Sequence, residues 1–278
     1  MSDSSKSPAA AGGIHISRGV RLRIPAGGLV LSLGPNGPQA MEVRSVEVQL
    51  DTCIHWLEIA VDRLDEAHAA HQHAADVGSG DREFGVALDR EFKAALQATV
   101  AAATFFEALY AATIERDPPP RPKPTGNPKK RRTRYMVVAE QLRRSFGLRK
   151  QGTTNLRSVL KEVYRFRDQA VHPGASFSEP IMHPQFQVGV ESRFVLFSAA
   201  NAHQLVRAAL AFSRILPSRD LSRRPKDIQE LGAYLLEVCR PLYSRWEGAY
   251  GALLDEVSTQ PDVVASPDGR SPAEPDET

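Results

Sequence analysis

The chain is poor in sulfur and in rings: two Cys, four Met, two Trp and 7% aromatic residues among 278. Two cysteines, Cys53 and Cys239, cannot build a disulfide framework, and no Cys-x-x-Cys pair marks a zinc or thiol-redox centre. No apolar run approaches the ~20 residues that span a bilayer. The opening MSDSSKSPAAAGG has no apolar core of the secretory type. These absences lead to the expectation of a reduced, cytoplasmic protein with no membrane partner. Gly27-Gly28 and the Pro35-Asn36-Gly37-Pro38 turn lack the strand, glycine loop and helix of a phosphate cradle, and no Walker motif is present, so no cofactor is expected. His55, His68, His71 and His73 cluster on one segment, with Asp65 near. Scattered histidines on an Ala-rich helix are solvated more often than ligating, and no metal site is assigned to them.

What is present is enough apolar residue for a core. The chain is 42% hydrophobic and carries a net charge of only +2, which excludes disorder throughout. The two ends, 1–13 and 259–278, are small and polar and read as disordered tails. Residues 14–45 alternate in the strand manner through Val20, Leu22, Ile24, Leu29, Leu31, Leu33, Met41 and Val43, with a turn at Gly34–Pro38. This small β element is too short to hold a core, so it is expected to lie on something. From Val46 the period becomes helical and stays so to about residue 258. Helices are expected over about 46–77, 81–116, 129–146, 154–171, 193–216 and 225–257, with Gly78–Gly80, Pro118–Pro122, His172–Gly174 and Pro217 as stops. The second, almost wholly apolar from Ala94 to Ile114, should be the buried centre. The fold class is therefore mainly α, an antiparallel helical bundle with a small N-terminal β element.

The small net charge hides an asymmetry. Between Arg121 and Arg167 lie fifteen of the 35 Lys and Arg, against two acids, Glu140 and Glu162. Such a block attracts polyanions, of which nucleic acid is the commonest in the cytosol. Lys129, Lys130, Arg131, Arg132, Arg134, Arg157, Lys161 and Arg165 are the candidate RNA-binding residues. Aromatics able to stack on bases are few in the block, so single-strand stacking is not indicated.

The helix over 154–171 carries an anomaly. Leu156, Val159, Leu160, Val163, Phe166 and Ala170 form one apolar stripe, and Arg167 falls within it. A guanidinium among apolar side chains needs a partner or a cleft, unless it reaches past them to solvent. Glu107 is the single charged residue between Ala94 and Ile114, so an Arg167–Glu107 ion pair inside the bundle is expected. Asp168 and His172, four residues apart, share one helical turn. Arg167, Asp168 and His172 thus gather at one helix end, and an arginine with a histidine is what metal-free phosphodiester cleavage needs.

The run Tyr164-Arg165-Phe166-Arg167-Asp168-Gln169-Ala170-Val171-His172-Pro173 resembles the signature of the HEPN superfamily, an Arg followed by a polar residue and, a few residues later, a His. The resemblance covers about residues 46–216. It implies a helical bundle and, for many members, metal-independent endoribonucleases of toxin or defence systems, with the active site assembled across a homodimer. By that analogy Arg167, Asp168 and His172 are catalytic, with Glu107 in support. RNA, a second copy and a protein antitoxin or regulator are the implied partners. Other members are non-catalytic, so two further readings stay open: a helical partner-binding module with a structural Arg167–Glu107 pair, and a nucleic-acid-binding regulator acting through the basic block alone.

Overall fold

The structure is a computed structural model that describes residues 19–35, 37–120, 133–172, 174, 177 and 179–254. The expected tails, and the candidate residues Lys129, Lys130, Arg131 and Arg132, lie outside these residues. The architecture is mainly helical with short antiparallel strands at the N-terminal side.

The core begins with an antiparallel helix pair, α1 (Cys53–Val77) and α2 (Arg82–Arg116). Their facing positions are rich in alanine: Ala60, Ala67, Ala70 and Ala74 on α1, and Ala94, Ala95, Ala98, Ala101 and Ala102 on α2, all buried. Small side chains let two helices approach closely along their length. Gly78, with φ +79°, ends α1, and Asp81 caps α2 by accepting from the Glu83 amide at 2.8 Å. At 35 residues α2 is about 50 Å long. It is long and apolar enough to cross a membrane by length and composition, but in this fold α1, α3, α4 and α6 pack around it.

Pro118–Pro120 stop α2, and its end is tied to α3 (Arg134–Phe146). Gln141 Nε2 donates to the Asp117 carbonyl at 2.8 Å, Arg144 Nη1 to the Pro118 carbonyl at 2.8 Å, and Ser145 Oγ to the Asp117 carboxylate at 2.9 Å. Gly147 then takes the left-handed conformation that closes a helix, φ +69°. Three residues later α4 (Lys150–Val171) begins, four residues earlier than its periodicity indicates.

The last two expected helices are each divided. Ser198 interrupts 193–216, giving α5 (Ser192–Leu196) and α6 (Ala199–Ile215). A break at Cys239 with Pro241 behind it gives α7 (Lys226–Val238) and α8 (Arg240–Tyr250). Both breaks fit local chemistry: Ser198 accepts from the Asn201 amide at 3.5 Å, and proline is favoured in a first helical turn.

The β element differs from expectation in extent and in placement. Strands β1 (Val20–Arg23) and β4 (Glu47–Leu50) pair antiparallel, as do β2 (Leu29–Gly34) and β3 (Gly37–Val43). The result is a two-stranded arm that runs four residues beyond the expected helix start at Val46. It does not lie on the bundle by its apolar face. At its root the polar side chains meet the body: Gln49 donates to Glu115 of α2, and Arg21 lies 3.8 Å from Asp227 of α7. Leu22, Val48 and Leu50 are left about half exposed. A buried ion pair bolts the root, with Arg116 donating to both oxygens of Asp51 and, at 2.8 Å, to the Ala112 carbonyl. Further along the chain a short hairpin, β5 (Ile181–Met182) with β6 (Gly189–Val190), carries Phe186 and Val188 onto Phe84 and Leu88 at the start of α2.

Candidate functional site

Helix α4 buries Leu156, Leu160, Val163, Tyr164 and Phe166 in the bundle and turns its charged face to solvent. It ends where the sequence requires. His172 precedes proline, which disfavours helical geometry, and takes φ −125°, ψ 60°, while its amide still donates to the Asp168 carbonyl at 2.8 Å. Arg167, Asp168 and His172 are therefore gathered on one and a half turns at the end of α4. Asp168 and His172 are exposed, and Arg167 is about one-third exposed.

Arg167 resolves its anomaly in a different way from the one expected. Its Nη1 lies 3.2 Å from Asp168 Oδ1, and its guanidinium sits 5.5 Å from the centre of the Tyr164 ring. It does not pair directly with Glu107. That carboxylate is taken by Arg134, whose Nε donates at 2.9 and 3.1 Å with Nη2 alongside, and by the Tyr164 hydroxyl, which donates at 2.6 Å. The physical reason is geometric. Arg134, at the first residue of α3, reaches Glu107 in the two-pronged manner that suits a guanidinium and a carboxylate, and packs its own plane over Tyr110 at 4.4 Å. Burial raises the Glu107 carboxyl. The Arg134 and Tyr164 hydrogen bonds and the charges of Arg134 and Arg167 outweigh it and hold Glu107 below the usual carboxylate range. Burial first, and then the bond to Glu107, push the Tyr164 hydroxyl well above the usual phenol range.

Glu107 thus stands behind the Arg167 end of α4 as the hub of a network joining α2, α3 and α4. It acts on Arg167 through charge and through the shared Tyr164, without contact. Tyr164 is the member that sequence reasoning missed. The signal was present, since its hydroxyl sits three residues before Arg167 on the buried side of the helix.

The candidate RNA-binding residues fare unequally. Arg134 is occupied by Glu107, and Arg165 pairs with Glu162 at 2.7 Å. Arg157 shares Glu140 with Arg143, at 3.5 and 2.6 Å. Lys161 is exposed and has no ion-pair partner among the described residues. The charge block also builds a cavity of about 360 Å³ at the other end of α4, lined by Arg143, Leu148, Lys150, Thr153, Thr154 and Arg157. Arg143 and Lys150 belonged to the basic run, but only the tight α3–α4 turn brings them to the N-terminus of α4, where the helix dipole favours anions. The 22 residues of α4 place this cavity about 30 Å from His172. The basic cavity and the Arg167–His172 end of α4 are therefore separate sites on the chain.

His68, His71, His183 and His203 pack against other side chains, whereas His73 is exposed. His71 Nδ1 lies 3.0 Å from Glu91 Oε2, and Glu91 Oε1 accepts from the Ala199 amide at the head of α6 at 2.8 Å. His183 stacks on Phe186, 4.6 Å between ring centres, and His68, His203, Trp246 and Tyr250 form an aromatic cluster between α1, α6 and α8. These are packing arrangements on elements other than α4. Cys53 and Cys239 are buried free thiols, and burial, with the neighbouring Asp51 charge, pushes Cys53 up to about 12.

No family model, curated protein or solved structure matches this chain.

Proposed function

We propose that the protein is a HEPN-like, RNA-binding helical protein that cleaves RNA without a metal, using Arg167 and His172. The observation that carries this reading is the end of α4. An accessible histidine and a partly accessible arginine stand on one helix end, and the arginine is steadied by Asp168 and by the ring of Tyr164.

His172 takes the proton from a ribose 2′-hydroxyl, whose oxygen attacks the adjacent phosphorus. Arg167 balances the negative charge that builds on the phosphoryl oxygens. The bond to the 5′-oxygen breaks, and that oxygen receives a proton from the histidine of the same or a second chain. The products carry a 2′,3′-cyclic phosphate and a 5′-hydroxyl. Asp168 competes with the phosphate for Arg167, so RNA binding has to release that 3.2 Å contact. Lys161 and the cavity residue Lys150 supply the backbone-binding surface in this reading.

The rival reading is a helical partner-binding module without chemistry. It is favoured by the ion pairs that already occupy Arg134, Arg143, Arg157 and Arg165.

Mixed RNA incubated in EDTA with wild type, His172→Ala and Arg167→Ala decides between the two, with the product ends analysed. Cleavage with cyclic-phosphate ends, reduced ~10²-fold or more in both variants, supports the ribonuclease. Equal cleavage by wild type and His172→Ala removes His172 from the chemistry. No cleavage and no RNA binding by any of the three favours the partner-binding module, and RNA binding without cleavage favours a nucleic-acid-binding regulator.

A further inference from the structure

The N-terminal arm carries its amphipathic pattern the wrong way round for a monomer. In an antiparallel pair, residues directly opposite each other share a face. The opposed pairs Leu22–Val48, Leu29–Val43 and Leu31–Met41 therefore give each segment of the arm an apolar face. These six side chains are 38–68% exposed. The polar pair Arg21–Gln49 is the one turned to the body, through Asp227 and Glu115. A two-stranded ribbon is marginal in water unless its apolar face is covered.

We propose that this face is covered by the arm of a second copy, so that the arm is a homodimerisation element. Three observations choose the occupant. The first is area. With Ile24 and Leu50 included, the exposed apolar residues of the two segments present about 700 Å², close to the ~800 Å² that one partner contributes to a standard-size interface. The second is charge. All five charged side chains of the arm are already paired, Arg21 with Asp227, Arg23 with Glu47 and Arg44 with Glu42. The arm offers nothing to select an oppositely charged partner and nothing to repel its own copy. The third is shape. An apolar ribbon face is self-complementary under a two-fold axis, which sets equivalent side chains against one another. The inference is independent of any role of Arg167 and His172.

The test is the mass of the full chain in solution, by sedimentation equilibrium over a concentration series up to ~100 μM. Wild type is compared with Leu31→Lys/Met41→Lys and with a control at an exposed apolar position on α2, Val86→Lys. Leu31 and Met41 are solvent-exposed in the single chain, so the charge does not disturb its fold, which circular dichroism verifies. The expected result is a wild-type and control dimer, with dissociation of the double variant at least ~100-fold easier. A wild type that stays monomeric throughout overturns the proposal, as does a double variant that dimerises as tightly as wild type. Protection of the arm amides from hydrogen exchange in a monomeric wild type, showing cover by the chain itself or by another molecule, overturns it equally.

Discussion

The hydroxyl of Tyr164 donates to the carboxylate of Glu107 at 2.6 Å, tying the helix that carries Arg167 to the central helix of the bundle. The same carboxylate holds Arg134, so one acid fixes the relative positions of α2, α3 and α4. Tyr164→Phe removes a partly buried hydrogen bond and is expected to cost ~1 kcal/mol in urea unfolding. Glu107→Gln is expected to cost more, because Arg134 then loses its partner. The pH dependence has a definite sign. The folded carboxyl lies below its ordinary value of 4.5, so its contribution is complete above that value and is lost as the pH falls through the lower folded one. The decline of wild-type stability below about pH 4.5 should therefore be shallower in Glu107→Gln.

Asp51 and Arg116 form a pair in which both side chains are about 95% buried. Breaking it from one side leaves a buried charge. Asp51→Ala or Arg116→Ala is expected to cost ~3–5 kcal/mol, whereas Asp51→Leu/Arg116→Met should recover most of the loss. Equilibrium unfolding in urea of the three variants checks this. Because Asp51 is also tied to the arm root through its backbone, its amide donating to the Gly19 carbonyl at 2.8 Å, the single variants should speed proteolysis of the arm.

Three imidazoles, His68, His183 and His203, have a ring nitrogen that is buried without a hydrogen-bond partner among the described residues. Burial lowers all three below the usual 6.5. A neighbouring histidine adds to this in each case, while Asp65 and then Glu91 oppose it at His68, and Glu91 opposes it at His183. The folded chain then binds fewer protons than the unfolded chain below 6.5. Stability present above that value is lost as the pH falls through the lower folded values. The urea midpoint should decline as the pH falls from about 7 through 6.5, and His203→Phe, which keeps a ring against Trp246, should flatten part of that decline. A midpoint independent of pH across that range would contradict it.

If RNA follows α4, its cations set the salt dependence. Lys150→Ala and Lys161→Ala should each weaken binding to any RNA sequence and reduce the slope of log affinity against log salt by about 0.7–0.9. Arg134→Ala should act mainly on stability, since that guanidinium already serves Glu107. Binding titrations at four salt concentrations separate the two effects.

Much of the fold is written in local chemistry. The capped start of α2 at Asp81, its stop at the prolines and the end of α4 before Pro173 follow from rules acting over a few residues. The switch from alternating to helical periodicity locates the arm to within a few residues. The candidate motif is likewise local, because Arg167, Asp168 and His172 lie on consecutive turns of one helix. The breaks at Ser198 and Cys239 were harder to read, since the apolar period continues across both and only backbone hydrogen bonding interrupts it.

Partner choice was decided at long range. The sequence by itself determines that Arg167 is out of place in its stripe and that Glu107 is the lone charge in the apolar stretch Ala94–Ile114 of the central helix. It does not determine that they meet, and they do not. Arg134, 27 residues from Glu107, takes that carboxylate instead, in a fold where α3 is latched to the end of α2 at Asp117. The alternation of the arm likewise determines that one face is apolar, while the side turned outward depends on anchors at Glu115, Asp227 and Arg116. Periodicity records which residues share a face. Which face meets the body is a property of contacts between elements distant in the chain, and these exist only once the bundle has formed.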